Sequence, residues 1–281
     1  MEYTKKPDEW LEGIPFKLTK STFMDYLRCP RLFWWRNVAL PDIRMPATPQ
    51  MVRGRNVHTA AEQIFDRYDG EKSIEAIRAL ADDSEEESTE TLADIILQAI
   101  DEWGIEGKPL LHEKKLTVLD EENNILLVGI PDFILTRGND VIMGELKTGR
   151  PNLTSVRKEL CFYSKMMKLL GLPEPTHFMV ISTDCEDYEY AKSLQAKKRE
   201  VIFGFHRGFA VLEPIPTRSV NSFNSNYDNF ISVMKNGGLQ DIFPMKFSDH
   251  PSSFCQAFCD FTLSCEQEVN GVGETVLNHV W

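Results

Sequence analysis

The 281-residue sequence lacks several features that would assign it to a specialised class of protein. No apolar run reaches the roughly 20 residues that a membrane-spanning helix requires, and the first residues form no signal-peptide apolar region. Repeats and low-complexity linkers are also absent from the sequence. With 42% hydrophobic and 26% charged residues, the composition is that of an ordinary globular protein. We therefore expect a soluble, cytoplasmic protein that buries its own hydrophobic core and has no membrane as a partner.

Positive charge is also scarce. The 31 lysines and arginines face 43 aspartates and glutamates, which gives a net charge of −12. Such an acidic chain differs from a protein that coats DNA through its bulk charge. Part of the acidity is local, because residues 82–90 contain six carboxylates, a pattern typical of a solvated loop or a helix start. Any contact with nucleic acid must then depend on local basic patches.

Two apolar runs in residues 125–149 predict the centre of the fold. The first run ends at a turn signal in residues 137–139 and the second follows it, which together predict a β-hairpin. Three charged residues interrupt these strands, namely Asp132 in the first and Glu145 and Lys147 in the second. Alternation along a strand sends Glu145 and Lys147 to the same face, where a buried charge is costly unless it is paired or bound to a metal.

This charged set fits metal-dependent hydrolysis of a phosphodiester. Hard cations such as Mg²⁺ take carboxylate oxygens, offset charge on the phosphoryl group and lower the pKa of bound water. A lysine beside that water can orient it and stabilise the negative charge that develops. A purely structural interpretation stays open, in which Lys147 forms a cross-strand ion pair and Asp132 lies near a turn.

Two upstream segments contribute further reactive side chains. Residues 18–37 predict an aromatic-rich helix that Cys29-Pro30 interrupts, because proline disfavours helix at the preceding residue and removes a hydrogen-bond donor. A second amphipathic helix is predicted for residues 51–68 and contains His58. Taken alone, Cys29 is best interpreted as a core cysteine and His58 as a structural histidine.

The remaining periodicity predicts strands alternating with helices. A strand over residues 111–119 leads into the hairpin, and a helix over residues 153–170 follows it. On that helix, Glu159 and Tyr163 are four residues apart and therefore share a face. The other predicted elements are helices at 89–103 and 219–235, a strand at 176–182, and a second hairpin at 199–215.

Three of the six cysteines, Cys255, Cys259 and Cys265, fall within eleven positions. Thiolates at this density in a chain without a secretory signal predict a soft-metal site, either zinc or an iron–sulfur cluster. Three ligands are one short of a full set, and Cys29 is the obvious fourth. The spacing lacks the two-residue interval usual for structural zinc, which favours iron–sulfur. Three unrelated reduced cysteines remain the alternative.

In combination, these motifs resemble the PD-(D/E)XK nuclease superfamily, and within it the RecB-like and AddB-like nucleases, especially the CRISPR-associated RecB-like exonucleases. The resemblance extends from about residue 19 to residue 265, and its specificity comes from the ordered combination. The matching motifs, in chain order, are Tyr26-Leu-Arg-Cys29-Pro30, Gly54 to His58, Gly129-Ile-Pro-Asp132, Glu145-Leu-Lys147, and the C-terminal cysteines.

Two positions depart from the family pattern. Glu159 replaces the glutamine of a Gln-x-x-x-Tyr motif that ends here at Tyr163, so Glu159 either takes an altered substrate-orienting role or is a surface residue. Three residues separate Cys255 from Cys259, where family members often have two.

The resemblance implies an α/β, restriction-endonuclease-like fold with a central mixed β-sheet flanked by helices. The whole chain, residues 1–281, is then a single nuclease unit with an approximate core at 50–215. A helical iron–sulfur subdomain is expected from residues 18–40 together with 217–281.

The same resemblance implies roles for the charged residues. His58, Asp132 and Glu145 are expected to bind Mg²⁺ or Mn²⁺. Lys147 is expected to position the attacking water, and Tyr163 to contact the DNA strand or orient Lys147. A structural 4Fe–4S cluster, with zinc as the runner-up, is expected on the four cysteines Cys29, Cys255, Cys259 and Cys265.

The expected function is that of a metal-dependent deoxyribonuclease, an exonuclease acting on single-stranded DNA ends, with partners in a CRISPR, recombination or repair complex. Two alternatives from other classes stay open. One is a non-catalytic DNA-binding or scaffold subunit that keeps the fold and the cluster. The other is a zinc-stabilised interaction protein in which the aspartate and glutamate are structural.

Overall fold

The structure is a computed structural model that describes residues 2–39, 49–66, 87–195, 199–204 and 207–236, together with Cys259, Phe261 and Cys265. The predicted ligand Cys255 and most of the acidic run 82–90 lie outside the described residues. The strands are β1 (Phe16–Thr19), β2 (Glu106–His112), β3 (Leu116–Asp120), β4 (Ile125–Gly129), β5 (Phe133–Arg137), β6 (Asp140–Thr148), β7 (His177–Thr183), β8 (Glu200–Phe203) and β9 (Phe209–Pro214). The helices are α1 (Pro7–Leu11), α2 (Lys20–Arg28), α3 (Pro30–Trp34), a π-helix (Trp35–Ala39), α4 (Pro49–Asp66), α5 (Glu87–Trp103), α6 (Leu153–Leu169), α7 (Tyr188–Gln195) and α8 (Thr217–Lys235).

The larger of two compact units comprises residues 47–118 and 127–224 and is built on a six-stranded sheet. Its strand order is β2-β5-β6-β7-β9-β8, in which β6 and β7 are parallel and the other neighbours antiparallel. The predicted hairpin joins β5 to β6, and Gly138 adopts the left-handed conformation in its turn. This mixed sheet with flanking helices confirms the predicted α/β class and is consistent with a restriction-endonuclease-like fold.

The side chains of β6 alternate between the two faces of the sheet. Ile142 and Leu146 lie in a hydrophobic cluster with residues of α4 and α5. Because successive residues of a strand point to opposite faces, Glu145 and Lys147 point to the other face. There the Lys147 ammonium meets Glu159 of α6, as its hydrogen bond shows. Helices therefore cover both faces of the sheet, and the charged pair lies on the α6 side.

Two of the predicted strands are broken where the sequence suggests continuity. The run 125–135 divides into β4 and β5, so the prediction that Asp132 lies on a strand is wrong: it directly precedes β5. The predicted strand 111–119 divides into β2 and β3, with Glu113 at a positive φ of 41°. Both breaks coincide with interruptions of the apolar pattern, at Pro131-Asp132 in the first run and at the four polar residues 112–115 in the second. The short helices α1 and α7 were not predicted.

The second unit comprises residues 1–46, 119–126 and 225–281, and strand β1 pairs with β4 in a three-stranded sheet of order β1-β4-β3. Thr19 and Thr22 form a capping box at the start of α2, in which each backbone amide donates to the other side chain. Helix α2 ends at Arg28 and α3 begins at Pro30, which confirms the predicted break at Cys29-Pro30.

An aromatic cluster holds the second unit together. The ring of Phe230, on α8, lies 5.0–6.3 Å from four other rings, those of Phe16, Phe23, Tyr26 and Phe33. The Tyr26 hydroxyl also accepts a hydrogen bond from Asn229. Segments far apart in the sequence are thereby packed into one core. No helix in the described ranges is long and apolar enough to cross a membrane.

Gly144 provides a test of how the central strands pack. It lies directly opposite Phe133 across β5 and β6, and an added Cβ would overlap the fully buried Phe133 ring. We therefore expect Gly144→Ala to lower the free energy of unfolding by about 1–3 kcal/mol, measured by chemical denaturation.

Gly54→Ala, in helix α4, is the matched control. An added Cβ there meets only Thr148 Oγ1, at 4.0 Å, so helix propensity should favour alanine by about 1 kcal/mol. Equal stability of the two variants would contradict this description of the β5–β6 packing.

Candidate active site

Three neighbouring strands bring acidic residues to one end of the larger sheet. Glu113 directly follows β2 and Asp132 directly precedes β5. These strands are antiparallel neighbours, and the Glu113 amide donates to the Asp132 carbonyl at 3.0 Å, which sets the two residues opposite each other. Glu145 lies on the next strand, β6, where its neighbour Gly144 pairs with Phe133, so Glu145 is adjacent to Asp132. The sheet topology thus collects three carboxylates.

His58 of α4 joins this group. Its Nδ1 is 2.8 Å from Glu113 Oε1 and 3.6 Å from Asp132 Oδ1. One potential ligand atom from each of the three residues lies within 4.8 Å of the others. The Asp132 carboxylate is buried, and its Oδ2 accepts a hydrogen bond from the Leu146 amide at 2.6 Å, which fixes its orientation. One imidazole and two carboxylates at this spacing are a donor set that fits Mg²⁺ or Mn²⁺.

The charges around His58 alter its protonation. Burial lowers the pKa of His58, but the hydrogen bond with Glu113 and the negative charges of Asp132, Glu113 and Glu145 outweigh burial and raise the pKa. A divalent cation must displace this proton when it binds the imidazole. Metal affinity should therefore decrease as the pH falls through the raised pKa of His58. The carboxylates that stabilise the proton are the same ones that would attract a cation.

Lys147 is held between two carboxylates beside this group. Its Nζ donates to Glu145 Oε1 at 2.8 Å and to Glu159 Oε2 at 3.0 Å. Glu145 is 1% exposed, and the Glu159 side chain is 13% exposed. Hydrogen bonds to two buried carboxylates hold the Lys147 ammonium between Glu145 and Glu159. Since Glu145 also acts on the pKa of His58, one carboxylate connects the lysine to the candidate metal ligands.

Tyr163 supports the segment that carries Asp132. Its hydroxyl donates to the Ile130 carbonyl at 2.7 Å, two residues before Asp132, and its ring is 1% exposed. The ring also lies against Gly129, where an added Cβ would be 2.7 Å from Tyr163 Cε1. This close approach explains why a residue without a side chain occupies position 129. The predicted contact of Tyr163 with DNA stays a prediction.

The sequence-based site residues are found at the same end of the sheet, with one addition. His58 and Asp132 lie in one group, and Glu145 lies next to it, bonded to Lys147. Glu159 contacts Lys147, which gives it a position within the site. Glu113 was missed, because the sequence predicts a continuous strand at that point. The available signal was the run of four polar residues, 112–115, which interrupts the apolar pattern of the predicted strand.

Three of the four cysteines predicted to bind a cluster, Cys29, Cys259 and Cys265, come together in the second unit. Cys29 and Cys265 are buried in a small hydrophobic cluster with Leu32, Trp35 and Phe261, and Cys259 packs against it. Burial, together with the neighbouring thiols of Cys259 and Cys29, raises the pKa of Cys265 to about 12. Such thiols stay neutral unless a metal ion replaces their protons.

A buried hydrogen-bond donor accompanies these thiols. Trp35 Nε1 is buried and meets no acceptor within hydrogen-bonding geometry among the described residues. The same indole lowers the pKa of the Cys265 thiol, which means that it lies close to that sulfur. Sulfur atoms of an iron–sulfur cluster accept hydrogen bonds from nearby donors. Three converging thiols and a buried N–H donor beside one of them are therefore compatible with a thiolate-bound metal cofactor.

Comparisons with known proteins agree with this chemistry. The family model of the PD-(D/E)XK nuclease superfamily matches residues 17–266, a range that contains the charged group and the cysteines. No curated protein matches the chain. A solved structure titled "Crystal structure of SSO0001" aligns with 92% of this chain and 90% of its own length, at 13% identity and a TM-score of 0.41. That likeness is too weak to bear on function.

Glu113→Gln tests whether the carboxylate missed by sequence analysis is a metal ligand. The amide keeps the size of the side chain but removes its negative charge. We expect the affinity for Mn²⁺, measured by isothermal titration calorimetry at constant pH, to fall at least about tenfold, since even outer-shell partners contribute 10–100-fold.

Glu106→Gln, at the exposed first position of β2, is the control and should bind Mn²⁺ like the wild type. Unchanged affinity in the Glu113 variant would exclude Glu113 from the metal site.

Proposed function

The chain belongs to the PD-(D/E)XK nuclease superfamily, whose members are generally metal-dependent nucleases, and from this premise we propose that it is a deoxyribonuclease that degrades single-stranded DNA from its ends. The observation that carries the proposal is the meeting of His58, Asp132 and the Glu145–Lys147 pair at one end of the sheet. A purely structural ion pair would not require the imidazole and a further carboxylate beside it.

The charged group divides into parts with different tasks. His58, Glu113 and Asp132 would hold the divalent cation, with Glu145 adjoining them. When bound there, Mg²⁺ or Mn²⁺ offsets charge on the phosphoryl oxygens and lowers the pKa of bound water. The hydrogen bond from the Leu146 amide keeps Asp132 oriented, so the ligand geometry is set before substrate arrives.

Lys147 is suited to handle the attacking water. Its two hydrogen bonds, to Glu145 and Glu159, hold the ammonium at the edge of the site, next to the candidate metal ligands. From that position the ammonium can donate to the water or to the phosphoryl oxygen that gains negative charge. Glu159 takes the position of the family's glutamine and orients the lysine rather than the substrate, which gives the departure from the family motif a physical role.

Lys147→Ala should lower the rate of DNA cleavage at least about 100-fold, because a donor aimed at developing charge is worth about that factor. The assay uses end-labelled linear single-stranded DNA with Mn²⁺, and EDTA should abolish the wild-type activity. Linear double-stranded and circular single-stranded DNA are run in parallel. We expect degradation of the linear single-stranded DNA alone. Cleavage of the circular single-stranded DNA would instead show an endonuclease.

A second substitution and a control separate chemistry from folding in this experiment. Lys147→Gln can still donate hydrogen bonds to the two carboxylates, so it tests the loss of positive charge with less disturbance. Lys168→Ala removes an exposed lysine from the same helix as Glu159 and should cleave like the wild type. Full activity in both Lys147 variants would remove this lysine from the mechanism.

We also propose that Cys29, Cys259 and Cys265, with Cys255 as the fourth ligand, hold a structural 4Fe–4S cluster. Its subdomain would consist of residues 18–40 and 217–281. The buried thiols of Cys29 and Cys265, the packing of Cys259 against them and the buried Trp35 donor support this assignment. Hydrolysis requires no redox step, so the cluster would act as a structural cross-link. The ordered motifs from Tyr26 to Cys265 support the RecB-like and AddB-like lineage, with CRISPR, recombination or repair as the setting.

Cys259→Ala should remove the visible colour and iron of anaerobically purified protein and lower its thermal stability. Cys161→Ala is the control, because Cys161 is also buried but lies on α6, outside the cysteine cluster. We expect the control to retain its iron. A colourless wild-type protein with stoichiometric zinc would replace the iron–sulfur assignment with a zinc site.

A further inference from the structure

Two neighbouring cavities of about 400 Å³ and 440 Å³ form a basic groove along the start of α6. They share Thr154 and Arg157, so their linings are continuous. We use the name basic groove for the positively charged residues of these linings, which are Arg150, Arg157, Lys158, Arg199 and Arg218. Hydroxyl groups of Thr154, Tyr190, Ser219 and Ser222 lie between them.

The groove concentrates positive charge on a chain whose net charge is −12. Among the described residues, two carboxylates form ion pairs with three of its five cations. Glu213 bonds Arg157 and Arg199, and Asp187 bonds Arg150. Lys158 and Arg218 form no ion pair within the described part of the chain. The groove therefore keeps an excess of positive charge, and structural ion pairs alone do not explain all of its cations.

Glu213 fixes the orientation of two guanidinium groups. Arg157 donates to it through Nε at 2.6 Å and Nη2 at 2.7 Å, and Arg199 donates through Nε at 2.6 Å. Burial raises the pKa of Glu213, but these hydrogen bonds outweigh burial and lower it, so the carboxylate stays ionised. An arginine has five N–H donors, and Arg199 Nη1 is buried with no acceptor among the described residues. The pair is thus rigid and retains unused donors.

The groove is connected to the active site by short covalent segments. Arg150 comes three residues after Lys147, in the connection from β6 to α6. Arg157 and Lys158 immediately precede Glu159, the partner of Lys147. Side chains one and two positions before Glu159 point to other sides of the helix than Glu159 does. The groove therefore lies next to the active site along the chain and is built from other side chains than the active site.

We propose that the basic groove binds further phosphate groups of the DNA strand, separate from the phosphodiester that is hydrolysed. This inference rests on the proposed nuclease function. Arginine and lysine charges with interspersed hydroxyls match phosphate oxygens, and contacts to phosphate carry no sequence information directly. Five cations along two joined cavities can bind more than one phosphate group. The groove would thus fix the path of the strand without selecting its sequence.

The test measures DNA binding in the absence of hydrolysis. Fluorescence anisotropy follows a labelled single-stranded oligonucleotide in EDTA, with full-length protein, across a range of salt concentrations. The double variant Lys158→Ala/Arg218→Ala should bind roughly tenfold more weakly at 0.1 M salt. The slope of log affinity against log salt should become shallower by about 1.4, since each phosphate contact with a single strand contributes about 0.7.

The double variant Lys108→Ala/Lys168→Ala is the matched control, because it removes the same charge from exposed positions outside the groove. It should keep the wild-type slope. An identical slope in the groove variant and the wild type would overturn the proposal. An equal change of slope in the groove variant and in the control would also overturn the proposal, because it would show that DNA binding responds only to the net charge of the protein.

Oligonucleotides with and without a terminal phosphate distinguish the two sources of phosphate. Equal weakening of both would assign the groove to internal phosphodiesters, and weakening of the phosphorylated strand alone would assign it to a terminal phosphate. Because no metal is present, the result is independent of catalysis. If the groove variant binds DNA like the wild type while Lys147→Ala is inactive, the groove proposal is refuted and the nuclease proposal stands. If the groove variant binds DNA more weakly while both Lys147 variants cleave like the wild type, the groove proposal stands and the proposed role of Lys147 is refuted.

Discussion

The structure of the site depends on the balance of charge at one end of the larger sheet. Carboxylates gathered in a partly buried place repel one another unless positive groups lie among them. Here one lysine and one histidine face four carboxylates, which are Glu113, Asp132, Glu145 and Glu159. The histidine takes up a proton more readily than usual because of this excess. A divalent cation would supply the missing charge, so metal binding would stabilise the fold of this region.

Helix α6 separates this acidic site from a basic surface. Glu159 meets Lys147 over the sheet, whereas Arg157, two residues earlier, meets Glu213 of β9. An acidic protein can in this way contact nucleic acid without a high overall positive charge, because the field near a surface is set by the nearest groups. The negative site attracts the cation and the basic groove attracts phosphate, so metal and substrate are drawn to adjoining but different places.

The sequence indicated which residues meet at the candidate site better than it indicated their local structure. Asp132, Glu145 and Lys147 could be singled out because charge in an apolar run is unusual, and the α/β class of the fold was implied by the family resemblance. Glu113 escaped prediction because its role depends on a bend with positive φ and on the pairing of β2 with β5, which is a long-range contact. The basic groove also combines residues from three separate segments, and no local pattern could have revealed that combination.

The cysteine group and the aromatic cluster both connect the N-terminal segment to later parts of the chain. Cys29 and Cys265 are 236 positions apart, but Phe230 already packs against rings of the N-terminal segment. Once that contact exists, a link at Cys265 closes a loop of only 35 further positions. The entropic cost of closing a loop grows with the logarithm of its length. The aromatic contacts of Phe230 therefore already account for most of the cost of bringing Cys265 near Cys29. A metal on the cysteines would therefore anchor the segment after Phe230, while the aromatic contacts hold α2, α3 and α8 together without it.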